Sequence, residues 1–169
     1  EDNSRGVPPM AAMGDGYRHH ITGLVHDAYG FPTEKQDEIE TFLKRQFRKI
    51  TNGFFEIQIT KKINIEDAEI AVIAYGSVAR SARRAVAMAR AHGIKAGLVQ
   101  LVTLFPFPKN SVVNVMRQCR AVLVPEMNMG QISREVKRVN TGLTEVSKYN
   151  RIDGQLITPL EIFEELQKL

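Results

Sequence analysis

The amino-acid sequence predicts an α/β fold in which a mostly parallel sheet lies between layers of helices. Three short segments, residues 69–75, 96–102 and 121–124, have the continuous apolar character of strands that are buried on both faces. Two segments with helical periodicity, residues 78–92 and 108–119, separate these strands. Strands that alternate with helices in this way form a parallel sheet with right-handed crossovers, and the helices cover both of its faces.

Length, composition and charge exclude several classes of protein. The 169 residues suffice for one domain with its own core and an arm, and a hydrophobic fraction of 43% is too high for a disordered chain. No apolar run approaches the ~18 residues of a membrane span, and the first residues lack a signal-peptide pattern, so we expect no membrane partner. A net charge of +4 with mixed signs gives no indication of nucleic acid.

The single cysteine, Cys119, limits the redox and metal chemistry of the chain. It can form no internal disulfide, and alone it cannot hold zinc or an iron–sulfur cluster. Since it follows an apolar helical face, we expect it to be a small buried group. A reducing, cytoplasmic compartment is the simplest interpretation.

Residues 1–33 are predicted to form an irregular N-terminal arm or linker. They contain five of the 12 glycines and three of the seven prolines, and they show no sustained period. A segment of this kind is typically ordered by a partner, and we expect contacts from His20, Thr22, Gly23, His26 and Asp27. The histidines could instead bind a metal, but an arm without a frame argues against that alternative.

Residues 34–50 are predicted to form a connecting amphipathic helix. Thr33 and Gln36 match a capping box, acidic residues follow in the first turns, and basic residues crowd the last turns. Asn52 and Gly53 end the helix. One apolar stripe runs along it, consisting of Ile39, Phe42, Leu43, Phe47 and Ile50.

The remaining residues, 51–169, are predicted to form the α/β domain. Residues 54–59 have strand composition, and the helix that follows the turn at Gly76 and Ser77 should be closed by Gly93. Pro108 should begin the next helix. After the third buried strand we expect a helix over residues 131–140 and a short strand over 145–149.

The last helix has the clearest start signal in the chain. Thr158 and Glu161 match a capping box, and Pro159 occupies the first helical position. Its buried face is predicted to consist of Leu160, Phe163 and Leu166.

Two loops carry the candidate chemistry. The turn at Gly76 and Ser77 could bind an anion on its backbone amides, but it lacks the glycine spacing of a nucleotide fingerprint, so a tight turn with Ser77 as the helix cap is favoured. Glu126 lies at the carboxyl end of a buried strand, where open α/β sheets bind ligands or partners. No paired acids, catalytic triad or metal motif accompanies it.

Four stretches carry a resemblance to a known family. AYGSVARSARRAVAMARAHGIKAGLVQLVTLFPFP and VLVPEMNMGQ closely resemble the C-terminal part of the alpha subunit of 2-oxoacid:ferredoxin oxidoreductases, and the 2-oxoglutarate type is the most similar. HHITGLVHDAYGFPTE resembles the segment that precedes this part, and IDGQLITPLEIFEEL resembles the C-terminus. The resemblance extends over essentially the whole chain.

The resemblance implies a transketolase C-terminal-like domain with a three-layer α/β/α architecture. Its five-stranded sheet has the order 1-3-2-4-5 with an antiparallel first strand, for which residues 54–59 are the candidate. The family decarboxylates a 2-oxoacid on thiamine diphosphate and Mg²⁺, passes electrons through [4Fe-4S] clusters to ferredoxin, and forms an acyl-CoA. The sequence lacks the domain that helps to form the thiamine pocket, and it lacks cluster cysteines, so we expect this chain to bind none of these cofactors itself.

The implied role is that of an organising and interface domain, with the rest of the alpha subunit and the thiamine-binding beta subunit as partners and ferredoxin reached through the complex. Two alternatives remain at this point: a stand-alone flavodoxin-like binding domain, and the equivalent domain of a transketolase or a 2-oxoacid dehydrogenase beta chain. In the 1-3-2-4-5 order, the loops after the second and fourth strands share a crevice. The candidate residues for this crevice are Gly76, Ser77, Phe105, Pro106, Glu126, Asn128, Gly130 and Gln131. They either contact a partner or only hold their own loops in place.

Overall fold

The computed structural model describes residue 6 and residues 11–18 and 22–169. The chain divides into two compact units, Glu1–Ile57 and Gln58–Leu169, and each is considered by itself. The predicted domain start at residue 51 stays a prediction.

In the described part of the first unit there are two helices, α1 (Gln36–Asn52) and α2 (Phe54–Ile57). Before α1, the described residues form no helix and no strand longer than the isolated bridge between His26 and Pro32. Asp27 holds the turn inside this bridge, because its Oδ1 accepts hydrogen bonds from the backbone N–H groups of Tyr29 (2.9 Å) and Phe31 (3.0 Å).

The predicted start of α1 is wrong, whereas its end at Gly53 is confirmed. The helix begins at Gln36 after Lys35, and no side chain caps it. The Thr33 hydroxyl accepts a hydrogen bond from the Lys35 backbone N–H instead (3.2 Å), so the expected capping box does not form. None of the 17 residues of α1 is buried.

The second unit is the α/β domain that the sequence predicts. Its strands are β1 (Thr60–Ile63), β2 (Ile70–Tyr75), β3 (Ala96–Leu101), β4 (Ala121–Glu126) and β5 (Glu145–Asn150). Its helices are α3 (Val78–Ala91), α4 (Lys109–Gln118), α5 (Gln131–Val139) and α6 (Pro159–Leu166).

The sheet has the order β1-β3-β2-β4-β5, as the resemblance implied. Only β1 is antiparallel, and it pairs with β3 from Thr60 opposite Leu101 to Ile63 opposite Leu98. The other pairings are parallel. Among the described residues, no helix combines the length and the apolar character needed to cross a membrane.

The core is divided by the sheet into two layers. On one face, α3 and α6 pack on alternate strand residues such as Val72, Leu98 and Leu123. On the other face, α4 and α5 pack on the intervening residues such as Ile73, Val99 and Val122. Cys119 is buried in this second layer, as expected, and its Sγ donates to the Ala68 carbonyl (3.3 Å). Burial raises the pKa of the thiol.

The predicted first strand over residues 54–59 is wrong. Residues 54–57 form the short helix α2, because the Gly53 carbonyl accepts the backbone N–H groups of Glu56 (3.0 Å) and Ile57 (2.9 Å). The edge strand begins later, at Thr60, where the backbone can pair with β3. An apolar residue at every second position fits an edge strand, but over six residues it does not exclude a helical turn.

Two further predictions about helices need correction. Ser77 precedes α3 but its side chain makes no capping hydrogen bond. On α6, Leu160 is 54% exposed, and Ile162 joins Phe163 and Leu166 in the buried face instead. The α6 capping box is confirmed: Thr158 Oγ1 accepts the Glu161 N–H (3.3 Å), and Glu161 Oε2 accepts the Thr158 N–H (2.8 Å).

This capping box should make stability depend on pH. The hydrogen bonds from the backbone and side chain of Thr158, together with Arg151 and Tyr149, lower the pKa of Glu161 from 4.5 to about 2. A carboxyl group whose pKa is lower in the folded state stabilises the fold above its unfolded pKa, and this contribution is lost as the pH falls. We expect the urea midpoint to fall between pH 4.5 and about 2, and Glu161→Gln to flatten this fall. Glu164→Gln, at an exposed position of the same helix, should leave the pH profile unchanged; equal profiles for both variants and the parent chain would contradict the prediction.

Candidate functional site at the carboxyl edge of the sheet

The sheet opens between β2 and β4 at its carboxyl edge. These strands pair only from Ile70 opposite Ala121 to Val72 opposite Leu123, although each continues for three more residues. The helices that follow them, α3 and α5, pack on opposite faces, as the strand order predicts for a topological switch point.

A cavity of about 170 Å³ lies at this edge. It joins the start of α3 to the loops that follow β4 and β5, so that Ser77 and Met127 both line it, whereas the shared crevice of the other candidate residues stays a prediction. Gly76 and Ser77 are both exposed. The cavity is lined by Ser77, Val78, Arg80, Ser81, Met127, Leu156 and Ile157.

Glu126 is fully buried beneath this edge, and its carboxylate closes the start of α5. Oε2 accepts the backbone N–H of Ile132 (2.8 Å), and Oε1 accepts that of Ser133 (2.7 Å). A buried carboxylate is stable only when such donors compensate for the loss of water. The carboxylate therefore holds its own loop and helix in place.

Asn128 satisfies two further backbone N–H groups at the start of α5. Its Oδ1 accepts the backbone N–H groups of Gly130 (2.7 Å) and Gln131 (3.0 Å). Gly130 is buried and has φ +93°, and a Cβ there would lie 2.7 Å from Ser133 Oγ, so glycine is required. Gln131 is exposed. Because four successive N–H groups are satisfied within the loop, this helix start offers no site for an external anion.

Two residues that the sequence analysis missed hold the loop from neighbouring strands. The Tyr75 hydroxyl, at the end of β2, donates to Glu126 Oε2 (3.3 Å) and accepts from Asn128 Nδ2 (2.6 Å). Asn150, at the end of β5, donates from Nδ2 to the Asn128 carbonyl (2.9 Å). Each is the last residue of a strand beside β4, which is the signal that could have identified them.

The pKa of Tyr75 is raised above its usual value, first by burial and then by the Glu126 carboxylate. The phenol therefore stays protonated, and it keeps its hydrogen bond to the carboxylate. The polar groups of Tyr75, Glu126 and Asn128 are occupied by hydrogen bonds to one another and to the backbone at the start of α5. Within this network, therefore, no side chain is left to act as an acid, a base or a nucleophile, and its role is structural.

The loop after β3 lies at the same end of the sheet. Phe105 is 74% exposed, whereas Pro106 is buried and joined to Phe105 by a cis peptide bond. The Gln58 side chain donates to the Phe107 carbonyl (2.6 Å) and fixes the loop. The loop therefore presents one aromatic ring to solvent from a held backbone.

The predicted arm residues lie in the first unit, apart from this edge in sequence. Thr22 Oγ1 and His26 Nε2 are hydrogen-bonded (2.8 Å), Gly23 is exposed, and Asp27 holds the turn described above. His20 lies outside the described residues. Across residues 6, 11–18 and 22–169, no three His, Cys, Asp or Glu side chains stand where they could hold a metal ion.

Comparison with known families shows to which family the residues of this site belong. Residues 68–162, more than half of the chain, match the sequence model of the pyruvate:ferredoxin oxidoreductase core domain II. The chain belongs to this family. The match extends from Ala68, two residues before β2, into α6, and so contains the whole carboxyl edge around Tyr75, Glu126, Asn128 and Asn150.

Two relatives of this core domain II and one solved structure show how far the similarity extends. The chain is 41% identical over 158 residues to the 2-oxoglutarate synthase subunit KorA of Methanothermobacter marburgensis, which covers 93% of this chain and 42% of that protein. It is 35% identical to the ketoisovalerate oxidoreductase subunit VorB of Methanothermobacter thermautotrophicus, over 91% of this chain and 42% of that protein.

The solved structure is a 2-oxoglutarate:ferredoxin oxidoreductase from Magnetococcus marinus, with 2-oxoglutarate, coenzyme A and succinyl-CoA bound. It matches with a TM-score of 0.76 and 26% identity over 99% of this chain and 30% of that chain. This core domain II chain therefore spans about two fifths of the length of the relatives named above.

Proposed function

We propose that this chain is the core domain II part of the alpha subunit of a 2-oxoacid:ferredoxin oxidoreductase that acts on 2-oxoglutarate, and that it organises the enzyme rather than carrying out its chemistry. The observation that carries the proposal is the 41% identity to a 2-oxoglutarate synthase subunit over 93% of this chain. The ketoisovalerate oxidoreductase subunit VorB of the same organism is less similar to this chain, at 37% identity, and this difference supports 2-oxoglutarate over a branched 2-oxoacid.

The residues of this chain do not fit the cofactors of such an enzyme. A [4Fe-4S] cluster needs four ligands, and the only cysteine is buried against the Ala68 carbonyl. The acidic side chain at the carboxyl edge, Glu126, has both oxygens occupied by N–H groups of α5. Thiamine diphosphate, Mg²⁺ and the clusters are therefore assigned to other parts of the complex. Its reaction would convert 2-oxoglutarate and coenzyme A to succinyl-CoA and CO₂, with the two electrons passed to ferredoxin.

The carboxyl edge has the properties of a subunit interface. Its loops are held by partly buried hydrogen bonds, yet Phe105 and Met129 are 74% and 70% exposed. An apolar side chain on a rigid loop loses little conformational freedom when a partner covers it, so it contributes well to binding. We assign this edge, with Gly76, Ser77 and Gln131 at its surface and Glu126 beneath it, to contact with the thiamine-binding subunit.

The first unit supplies the second contact in this proposal. Its Tyr29 and Phe31 rings are 88% and 63% exposed on the turn that Asp27 holds. We assign the segment over residues 22–33 to contact with the remainder of the alpha subunit. The single cysteine is consistent with a cytoplasmic enzyme.

The test compares the isolated chain with the complex recovered from source cells through a tag on this chain. We expect the complex to reduce ferredoxin with 2-oxoglutarate and coenzyme A, and the isolated chain to show neither this activity nor Mg²⁺-dependent binding of thiamine diphosphate in calorimetry. Recovery of the tagged chain alone, or tight thiamine diphosphate binding by the isolated chain, would contradict the proposal.

A pair of variants locates the interface. Met129→Ser should reduce recovery of the partner subunits severalfold and leave the urea midpoint of this chain unchanged, because the side chain is exposed. The matched control is Leu143→Ser, an exposed leucine in the loop before β5 at the opposite edge of the sheet. If the two variants retain partners equally, the carboxyl edge is not the interface.

A further inference from the structure

Helix α3 carries a cluster of three exposed arginines, Arg80, Arg83 and Arg84. Their spacing of three and four residues places them on one face of the helix, opposite its buried alanines. Arg90, further along α3, is paired with Asp67 (2.5 Å). Among the described residues, no carboxylate forms an ion pair with the other three. We refer to these three residues as the arginine face.

The lack of ion pairs on the arginine face reflects the distribution of charge along the chain. Residues 70–125 contain eight lysines and arginines and no aspartate or glutamate. Helix α6 packs beside α3 and carries acidic residues, but its Glu161 is held by Arg151 (2.6 Å). The second unit, Gln58–Leu169, has 16 lysines and arginines and 10 aspartates and glutamates, a net charge of +6. A partner of the arginine face must therefore supply its own acidic groups.

The arginine face begins at the rim of the cavity of about 170 Å³. Arg80 lines this cavity together with four apolar side chains, those of Val78, Met127, Leu156 and Ile157. Leu156, in this apolar wall, is 66% exposed. Since a cavity of about 150 Å³ is large enough for a benzene ring, this one can take an aromatic or a leucine side chain. The surface thus combines an apolar cavity with a row of cations beside it.

The shape of this surface favours a protein over other anionic partners. A small anion in the cavity would meet only Arg80, because Arg83 and Arg84 do not line it. A membrane or a nucleic-acid duplex could contact the arginines, but its surface could not fill a concave apolar cavity. A protein surface can do both, since carboxylates form bidentate hydrogen bonds with arginine and an apolar side chain in a cavity is a common anchor of interfaces.

We propose that the arginine face and the adjoining cavity form a docking site for an acidic protein surface, which places one apolar side chain in the cavity and its carboxylates on Arg80, Arg83 and Arg84. The inference rests on the proposed function only for the identity of the partner, because Ser77 belongs both to the cavity and to the carboxyl edge assigned above to a partner subunit. Since the arginines are exposed, binding at this site should weaken as salt is added.

Fluorescence anisotropy of the 169-residue chain with labelled peptides tests this chemistry without the partner. The first peptide has one phenylalanine between two pairs of glutamates. In the second peptide serine replaces the phenylalanine, and in the third glutamines replace the glutamates. We expect the first to bind about tenfold more tightly than either of the others, with an affinity that falls as salt is added. Equal binding of the first peptide and either of the others overturns the proposal.

A pair of double variants locates the acidic contact. Arg83→Gln combined with Arg84→Gln should weaken binding of the first peptide about tenfold, because two exposed ion pairs are lost. The matched control is Arg134→Gln combined with Lys137→Gln, which removes two exposed cations from α5 on the other face of the sheet and should leave binding unchanged. If the control weakens binding as much, net charge alone attracts the peptide and the proposal is overturned.

A second pair of variants locates the apolar contact. Leu156→Ser should abolish the preference for the peptide with phenylalanine over the peptide with serine, because Leu156 lines the cavity. Ile152→Ser, at a similarly exposed position that does not line the cavity, should keep that preference. Equal preferences in the two variants overturn the assignment of the cavity. Circular dichroism of every variant verifies that the fold is retained.

Two further probes distinguish the other anionic partners. Inorganic phosphate should displace the first peptide no better than sodium chloride of equal ionic strength, and phosphatidylserine vesicles should not bind the chain through the arginine face. Displacement by phosphate at lower ionic strength identifies a small-anion site. Vesicle binding that the double variant of Arg83 and Arg84 abolishes identifies a membrane-binding surface. Either result overturns the proposal.

The complex recovered through the tagged chain separates this inference from the proposed function. The double variant of Arg83 and Arg84 should reduce recovery of the partner severalfold relative to the double variant of Arg134 and Lys137. Equal recovery with the two variants overturns the docking site and leaves the proposed function standing. Recovery of the parent chain alone contradicts the proposed function, and the peptides then decide the inference by themselves.

Discussion

Replacement of Gly97 by alanine is expected to destabilise the α/β unit by about 3 kcal/mol, because the added methyl group has no space. Gly97 lies in β3, and a Cβ there would be 2.6 Å from the Asn64 carbonyl oxygen, 2.7 Å from Ile65 Cδ1 and 3.0 Å from Ala68 Cβ. The nearest atom is backbone, and Asn64 already has a positive φ of 52°. The segment that crosses this face of the strand would have to move as a whole.

Urea unfolding followed by far-ultraviolet circular dichroism measures this loss, since the chain has no tryptophan. Gly23→Ala is the matched control, because a Cβ at that exposed position meets no atom within 4 Å. The control should leave the midpoint nearly unchanged. A Gly97→Ala chain as stable as the control would show that the 64–68 segment does not pack on β3 as described.

Removal of the Glu126 carboxylate is expected to cost about 4 kcal/mol in Glu126→Ala, the larger of the two effects, because it combines unpaired hydrogen-bond donors with an empty volume. The substitution leaves the buried N–H groups of Ile132 and Ser133 without acceptors and removes the acceptor of the Tyr75 hydroxyl. Hydrogen bonds to a charged group contribute about 1.5–3 kcal/mol each, and the emptied volume adds a cavity cost.

Two further variants separate charge from volume at this position. Glu126→Gln keeps the shape but turns a donor toward one of the two N–H groups, so we expect an intermediate loss of stability. Glu164→Ala, at an exposed position of α6, is the control and should change the free energy of unfolding by less than about 0.5 kcal/mol. If Glu126→Ala unfolds at the same urea concentration as this control, the carboxylate does not hold α5 in place.

These expectations bear on function as well as stability. Glu126, Asn128, Tyr75 and Asn150 fix the loop from which Met129 projects. A substitution in the buried network should therefore disorder the loop and weaken partner binding at the same time. Met129→Ser should weaken partner binding and leave the loop ordered. The two classes of variant distinguish the support of the interface from its contact residues.

Most of the sheet could be predicted from the sequence because its signals are local. The apolar runs of β2, β3 and β4 are buried on both faces, so these strands can be recognised from their composition without knowing which strands lie beside them. The α6 capping box and the glycine after α3 were predicted correctly for the same reason, since each feature depends only on residues within a few positions of one another. The order of the strands came from the resemblance and is confirmed.

By itself, then, the sequence determined the α/β class, the three central strands, the helices between them and the candidate loops at one edge of the sheet. Only the tertiary structure decided that β1 starts at Thr60 rather than in the apolar 54–59 segment, because an edge strand begins where a neighbour offers it hydrogen bonds. It also decided what Glu126 does. A carboxylate at the end of a strand is equally suited to a ligand or to its own helix, and the choice depends on which N–H groups the fold brings within 3 Å of it, here those of Ile132 and Ser133. Tyr75 lies 51 residues from Glu126, and Asn150 lies 22 residues from its partner Asn128. The sequence could therefore place these residues at the ends of strands, but it could not show what they contact.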